Sequence, residues 1–152
     1  MDRLTPVWIA VIALVLALAF APAALGTDRG TATAILASQL GLLKKQRPLN
    51  TCLAASPRKN TPCIRQKSLA LASWAAKDMR AIQAAMDGTE KDCMRTVAQQ
   101  EIAYVGMWRK GALALYRNER KKARRMFLDS LKIADAQKPL QLTCFVGVFT
   151  GP

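Results

Sequence analysis

Four cysteines at unequal intervals constrain the fold of this 152-residue chain more than any other feature. They are Cys52, Cys63, Cys93 and Cys144. No two of them have the C-x-x-C spacing of a redox motif or a zinc site, so two disulfide bonds are their expected role. Disulfide bonds persist in oxidising compartments, which predicts that the folded part of the protein lies outside the cytosol.

Helix geometry favours one of the three possible pairings of these cysteines. Cys63 and Cys93 each open a predicted helix, and the first of these helices would separate them by roughly 30 Å. A disulfide bond requires Cα atoms within about 7 Å, which disfavours Cys63–Cys93 and therefore also Cys52–Cys144. The favoured pairs are Cys52–Cys63, which closes a Pro-rich loop, and Cys93–Cys144, which attaches the C-terminal tail to the helices.

An uncharged segment at residues 5–26 precedes the cysteine-containing region. Its apolar stretch Val7–Ala21 ends at Pro22 and small residues up to Gly26, which is typical of a secretory signal peptide comprising residues 1–26. The alternative is a retained anchor, because an apolar segment of about 17–25 residues can span a bilayer. Pro22 favours cleavage, since it stands where an anchor would have to continue. Both alternatives make the protein secreted, periplasmic or otherwise extracytoplasmic.

Residues 27–152 are predicted to form a single all-α domain, a small disulfide-stabilised helical bundle or a short helical-repeat array. Thr61-Pro62 is a helix start signal, Asp87-Gly88 is a helix stop signal, and Thr89–Asp92 resembles a capping box. Pro48 and Pro139 are expected to end helices. The predicted segments are a first helix at 31–47, a Pro-rich loop at 48–61, helical hairpins at 62–138 and an apolar tail at 139–152, either a short strand or a clasp.

Residues 107–135 resemble one tetratricopeptide unit, which is a pair of helices with small residues where they cross. Gly111 matches the family's glycine in the first helix, and Asn118 stands at the turn where the family usually has Gly. The matching packing positions of the second helix are Ala123, Phe127 and Leu131. Departures from the family pattern are Met107 at the bulky first-helix position, Arg120 at an aromatic position and Asp135 at the closing proline. The resemblance implies a binding module rather than an enzyme.

The chain is strongly basic, with 23 Lys and Arg residues against 10 Asp and Glu residues and a net charge of +13. Much of the excess lies in residues 109–125, where the only acidic residue is Glu119. Such a run is too unbalanced for a surface laced with alternating salt bridges, and it favours anionic partners. The predicted anion-binding residues are Arg109, Lys110, Arg117, Arg120, Lys121, Lys122, Arg124 and Arg125.

These observations predict an exported basic binding protein that engages an anionic surface or an acidic protein through residues 109–125. Nucleic acid would bind only non-specifically, because no aromatic side chains for base stacking are interleaved with the charges. One alternative is a tetratricopeptide-like protein–protein adaptor outside the cytosol, using the surfaces around Trp74 and Trp108. A second alternative is a cationic membrane-active or defence protein, although the apolar face of the basic helix is needed to close the core.

The absence of histidine excludes Ser-His-Asp and Cys-His catalysis as well as histidine-ligated metals. No phosphate-binding Gly loop or spaced carboxylate pair is present, so we expect no enzymatic activity, no cofactor and no metal. Asp78 is the candidate buried carboxylate, because it lies between Trp74 and Ile82 at the edge of an apolar stripe. Its functional interpretation is a general acid or a ligand contact, and its favoured structural interpretation is pairing with a cation. Glu101 is a similar candidate.

Overall fold

The computed structural model describes residues 27–57 and 59–150, which form four helices. The helices are α1 (Asp28–Ala55), α2 (Pro62–Met86), α3 (Asp92–Tyr116) and α4 (Arg120–Phe149). No strand occurs in these ranges, so the described part of the chain is an all-α fold, as the sequence predicted. The predicted signal peptide lies outside the described residues.

Pro48 and Pro139 lie inside helices, so the prediction that they end helices is wrong. Proline removes one helical hydrogen bond and crowds the carbonyl four residues earlier, but both prolines stand on exposed helix faces, where water can replace the lost partner. The turns that follow them bury Leu49, Cys52 and Cys144. Burial of these side chains and the two cysteine pairs holds the helices together beyond each proline.

Two predicted segments change as a consequence. The Pro-rich loop predicted at 48–61 is reduced to the residues between Ala55 and Pro62, because α1 continues through Pro48. Of the two alternatives for the tail at 139–152, the strand is wrong: α4 extends to Phe149, and Phe145, Val148 and Phe149 pack on the core beside Cys144 in helical form. The helix predicted after Asp92 passes through Gly106 without a break.

The helix ends are fixed by local hydrogen bonds. The Thr61 side chain accepts a hydrogen bond from the Ile64 amide at 3.3 Å, and Pro62 occupies the first turn of α2, as predicted. Asn118 has a φ of 63° in the turn after α3. There the Glu119 amide donates to the Ala114 carbonyl at 2.8 Å and the Asn118 amide donates to Leu115 at 3.0 Å, which is a Schellman motif.

The capping box predicted at Thr89–Asp92 is absent. The N-cap residue of α3 is Lys91, whose side chain does not cap the amides of the first turn, and the Lys91 amide donates to the Asp28 carboxylate at 3.0 Å. Thr89 is buried instead, and its hydroxyl group forms hydrogen bonds with the Thr31 hydroxyl and the Ala85 carbonyl. A polar contact between α1 and the α2–α3 turn therefore takes the place of a local cap.

The core consists of two apolar clusters at opposite ends of the helices. The first cluster includes Leu42, Leu49, Ile64, Leu71, Ala112 and Ala123, and the second includes Ala32, Ile35, Ile82, Met94, Val97 and Cys144. Each fully buried Leu or Ile side chain contributes about 1.5–3 kcal/mol of hydrophobic free energy. Four polar side chains, which we call the polar layer, lie between the clusters: Ser38, Gln39, Glu101 and Gln137.

One cysteine pair lies at each end of the molecule. Cys52 and Cys63 have Cα atoms 5.8 Å apart, and Cys93 and Cys144 have Cα atoms 5.9 Å apart. Both distances fall in the range of disulfide bonds, and the pairing is the one that the helix geometry favoured. The first pair joins α1 to α2 beside the first apolar cluster, and the second joins α3 to α4 beside the second cluster.

The helices pack mainly in chain order. The interfaces of α3 with α2 and with α4 are the most extensive, and α1 packs chiefly on α2. In contrast, α1 and α4 have few contacts with each other, although these include a hydrogen bond of 3.1 Å between the Gln39 and Gln141 side chains. The flank of the molecule between α1 and α4 is therefore more open than the other helix–helix junctions.

Candidate functional site

One end of the molecule gathers most of the positive charge. We call it the basic end and define it as residues 42–57, 59–72 and 106–127, around the first apolar cluster. The Cys52–Cys63 bond and a hydrogen bond of 3.2 Å from the Asn60 side chain to the Leu115 carbonyl bring its segments together. These residues include fourteen Lys and Arg residues, and Glu119 is their single acidic residue.

The rest of the described chain is nearly neutral. Residues 27–41, 73–105 and 128–150 contain seven Lys and Arg residues against eight Asp and Glu residues. Of the four ion pairs found among the described residues, three lie in this part, and one, between Lys122 and Glu119, lies at the basic end. The excess charge of the protein is therefore localised rather than spread evenly, which concentrates the positive potential on one surface.

Six of the eight predicted anion-binding residues are exposed at this end without an ion pair to any described residue. They are Arg109, Lys110, Arg117, Lys121, Arg124 and Arg125. Lys122 is also exposed, but its Nζ lies 3.0 Å from a Glu119 carboxylate oxygen. Most of the predicted set thus shares one accessible surface formed by the C-terminal part of α3 and the first turns of α4.

Arg120 differs from its neighbours. Its guanidinium group donates hydrogen bonds to the carbonyl oxygens of Pro57 and Lys59, the latter at 2.6 Å, and to that of Ser56 at 3.4 Å. These bonds attach the start of α4 to the loop between α1 and α2. Its donors are thus used within the fold, and Arg120 is better described as a structural residue than as a member of the predicted anion-binding set.

The structure adds basic residues that the sequence analysis did not include. They are Lys44, Lys45, Arg47, Lys59 and Arg65, all exposed at the basic end. Antiparallel helices place the end of α1 and the start of α2 beside the start of α4, so these charges join the predicted run. Because a long loop was expected after Pro48, there was no reason in the sequence to place these cations near the start of α4. The Lys44-Lys45 pair itself is a local excess of positive charge in the sequence.

An apolar groove of about 400 Å³ adjoins the basic surface. Its walls are formed by Leu53, Trp108, Leu115, Arg120, Ala123, Arg124, Phe127, Leu128 and Leu131. The Trp108 and Phe127 rings pack against each other with their centroids 4.7 Å apart. Leu131 was predicted to face the core, but 53% of it is exposed, because the apolar stripe of α4 is wider than the surface that α3 covers.

Glu101 is a fully buried carboxylate at the centre of the polar layer. It accepts hydrogen bonds from the Ser38 hydroxyl at 2.9 Å, from the Gln137 amide at 2.9 Å and from the Gln39 amide at 3.3 Å. Burial raises the pKa of Glu101, while these three hydrogen bonds act in the opposite direction and the nearby Asp78 carboxyl adds a smaller upward effect. The sequence identified Glu101 as a candidate buried carboxylate but did not indicate partners from α1 and α4.

Asp78 is half-buried beside the polar layer. Desolvation raises its pKa, and the nearby Ser38 hydroxyl opposes this shift. No cation pairs with Asp78 among residues 27–57 and 59–150, so the cation partner that the sequence analysis favoured is not found there. None of the groove residues belongs to the polar layer, and the positions of these carboxyls support a structural role in the core.

Two further properties of the described chain bear on the site. No cluster of three or more His, Cys, Asp or Glu side chains suited to a metal ion occurs in the described ranges. None of the four described helices has the length and apolar character needed to cross a membrane.

Neither a protein-family model, nor a curated protein, nor a solved structure matches this chain. The fold and the site therefore define it by class alone: a small all-α protein with two cysteine pairs at disulfide distance and a localised basic surface beside an apolar groove.

Proposed function

We propose that this protein is an exported helical binding protein that engages an anionic partner through residues 109–125. The proposal depends on the uneven distribution of charge. The basic end contains fourteen Lys and Arg residues with Glu119 as its single acidic residue, whereas the rest of the described chain is nearly neutral. A surface of this kind attracts anions over distances of several ångströms and speeds their association at low salt. The proposed binding residues are the exposed members of the set predicted from residues 109–125, and Arg120 is not one of them.

The start of α4 supports the same surface. Its N-cap residue, Glu119, makes no side-chain hydrogen bond to the first amides of the helix. The N-terminal end of a helix carries a partial positive charge, which adds to that of Lys121 and Arg124. The two cysteine pairs support the extracytoplasmic part of the proposal, because such bonds are rare in reducing compartments.

Heparin provides a direct test because it supplies sulfate and carboxylate charges without an apolar surface. We expect the purified protein to bind heparin in isothermal titration calorimetry at about 50 mM salt and to release it at about 500 mM salt. Neutral dextran serves as the control and should not bind. Equal affinity at the two salt concentrations, or no binding to heparin at either, would contradict the proposal.

Release of dye from anionic liposomes would instead favour the membrane-active alternative.

A tetratricopeptide-like adaptor is the second candidate function. The observation that favours it is the packing of the helices in chain order, which leaves the flank between α1 and α4 open for a partner. An adaptor that depends on apolar contacts should capture a protein partner equally well at low and high salt. A pull-down at the two salt concentrations therefore distinguishes the two candidates.

A further inference from the structure

One exposed face of α4 carries apolar side chains that no described helix covers. Leu128 and Leu131, on the wall of the groove, are 50% and 53% exposed. Farther along α4, Leu142 and Val146 are 68% and 59% exposed. The spacing from 128 to 146 keeps these four residues on one face over about 27 Å, since spacings of 3, 4 and 11 residues return to the same side of a helix.

The groove is recessed rather than flat. Leu53 from α1, Trp108 from α3 and Leu128 from α4 all line it, and Trp108 is only partly exposed. A planar lipid surface would contact the exposed Leu128 and Leu131 more readily than the partly buried Trp108 ring. A helix laid along α4 has ridges of side chains that enter such a groove, as amphipathic helices do in helix-in-groove complexes.

The charges around the groove indicate the chemistry of its occupant. Arg124 lines the groove itself, Lys121 stands one turn before it, and both are exposed without an ion pair to a described residue. A second copy of this chain would bring a second strongly basic surface to the same place and would be repelled. An uncharged apolar segment would leave the cations without partners. The complementary ligand is apolar on one face and acidic at its margins.

We infer that the groove formed by α3, α4 and Leu53 of α1 binds an acidic amphipathic helix of a partner protein. The apolar face of that helix covers Leu128, Leu131 and the Trp108–Phe127 pair. Its Asp and Glu side chains meet Arg124 and Lys121. This inference rests on the proposed function, because it names the kind of anionic partner that the basic end receives.

The test compares two synthetic peptides of about 20 residues, long enough for five helical turns. Both contain the same Leu, Ala and Glu residues. One places Leu at i, i+3, i+4 and i+7 so that a single apolar face forms, and the other scrambles the order. Fluorescence anisotropy of labelled peptides should show that the ordered peptide binds about tenfold more tightly or better, because only it can bury leucines in the groove.

Two double variants locate the contact. Leu128→Gln/Leu131→Gln should remove the preference for the ordered peptide and leave heparin affinity unchanged. Leu40→Gln/Leu69→Gln alters two exposed leucines that do not line the groove and should retain the preference. Circular dichroism checks that both variants fold. The comparison of the two peptides uses the unaltered protein, so it remains a test even if a variant fails to fold.

The outcomes separate this inference from the proposed function. Equal binding of the two peptides, with heparin binding intact, would overturn the inference alone. If the unaltered protein did not bind heparin, the proposed function would be overturned. Vesicles of phosphatidylglycerol provide the last comparison. If vesicle binding required Leu128 and Leu131 while the peptides bound equally, the groove would be a lipid site and the inference would be wrong.

Discussion

Ser38 donates a hydrogen bond of 2.9 Å to Glu101 in the centre of the core, where neither residue is exposed to solvent. The bond joins α1 to α3, and Gln137 of α4 donates to the other carboxylate oxygen at 2.9 Å. Donors from two different helices thus converge on one acidic side chain between the apolar clusters. This arrangement restricts how the three helices can slide past one another, since a shifted register would leave the carboxyl buried without partners.

We predict that the stability of the protein falls as the pH rises above about 4.5. Burial raises the pKa of Glu101 above its ordinary value of 4.5, so the folded state holds its proton more tightly than the unfolded state does. The stabilisation is complete below pH 4.5 and is lost as the pH rises through the raised pKa of the folded state. The half-buried Asp78 acts in the same direction from its ordinary value of 3.8.

Urea unfolding at several pH values between 4 and 8 measures this effect. The Glu101→Gln variant should show a weaker dependence of the free energy of unfolding on pH, because its amide does not titrate. Asp87→Asn provides the control, since Asp87 is exposed at the end of α2 and should leave the dependence unchanged. The account of the polar layer would be incorrect if Glu101→Gln and the unaltered protein had parallel pH profiles.

Two glycines of α3 should respond oppositely to alanine. A Cβ atom at Gly111 would overlap the Phe127 ring, whereas the atom nearest to a Cβ at Gly106 would be Met79 Cε, at 3.6 Å. We therefore expect Gly111→Ala to lower the free energy of unfolding by about 1–3 kcal/mol through overpacking. Gly106→Ala should raise it by about 0.5–1 kcal/mol through helix propensity. Thermal melting of both variants tests the packing of α3 on α4, and equal effects would contradict it.

Arg120 and Lys121 are adjacent in sequence but should have separate effects. Arg120→Gln should lower stability by about 1.5–3 kcal/mol, since it removes charged hydrogen bonds to the α1–α2 loop. Lys121→Gln should leave stability within about 0.5 kcal/mol of the original and weaken heparin binding. Denaturant unfolding and heparin titration are carried out on both variants. If Arg120→Gln weakened heparin binding without affecting stability, the assignment of Arg120 as a structural residue would be refuted.

The two cysteine pairs should contribute unequally to stability. The Cys93–Cys144 bond spans 51 residues and the Cys52–Cys63 bond spans 11. Loop-closure entropy then gives about 4 kcal/mol for the longer bond and about 3 kcal/mol for the shorter one. Unfolding of the two double Cys→Ser variants measures the difference. Peptide mapping without reduction should recover the same two pairs, and a Cys63–Cys93 link would disprove the arrangement of the helices.

Local patterns predicted the features of the fold that depend on neighbouring residues. The helix start follows from the capping residue Thr61 and from Pro62, and the cysteine pairing follows from the length of the helix that separates Cys63 from Cys93. The prolines were misjudged because a local rule cannot weigh the burial of Leu49 or Cys144 beyond them. Glu101 could not be assigned its partners, since Ser38 and Gln137 come from distant parts of the chain.

The same limit applies to the candidate site. The charge run of residues 109–125 was evident, but the contribution of Lys44, Lys45 and Arg65 required knowledge of which helix ends meet. The exposure of Leu131 also depended on how much of α4 its neighbours cover. Composition and period therefore indicated the kind of surface, and tertiary packing determined its extent and the groove beside it.

We expect anion binding to depend on the location of the positive charge rather than on its total. Two quadruple variants with equal net charge test this directly. One replaces Lys121, Lys122, Arg124 and Arg125 with Gln at the basic end, and the other replaces Arg29, Lys77, Arg80 and Lys132, which are exposed elsewhere.

The measurement is the slope of the logarithm of the binding constant against the logarithm of salt concentration, with duplex DNA as a generic polyanion. Each lost phosphate contact should reduce the steepness of the slope by about 0.9, so the basic-end variant should lose about 3–4 units. The other variant should keep the slope of the unaltered protein. If the slope fell by the same amount in both variants, binding would follow net charge alone, and the assignment of the basic end as the binding surface would be wrong.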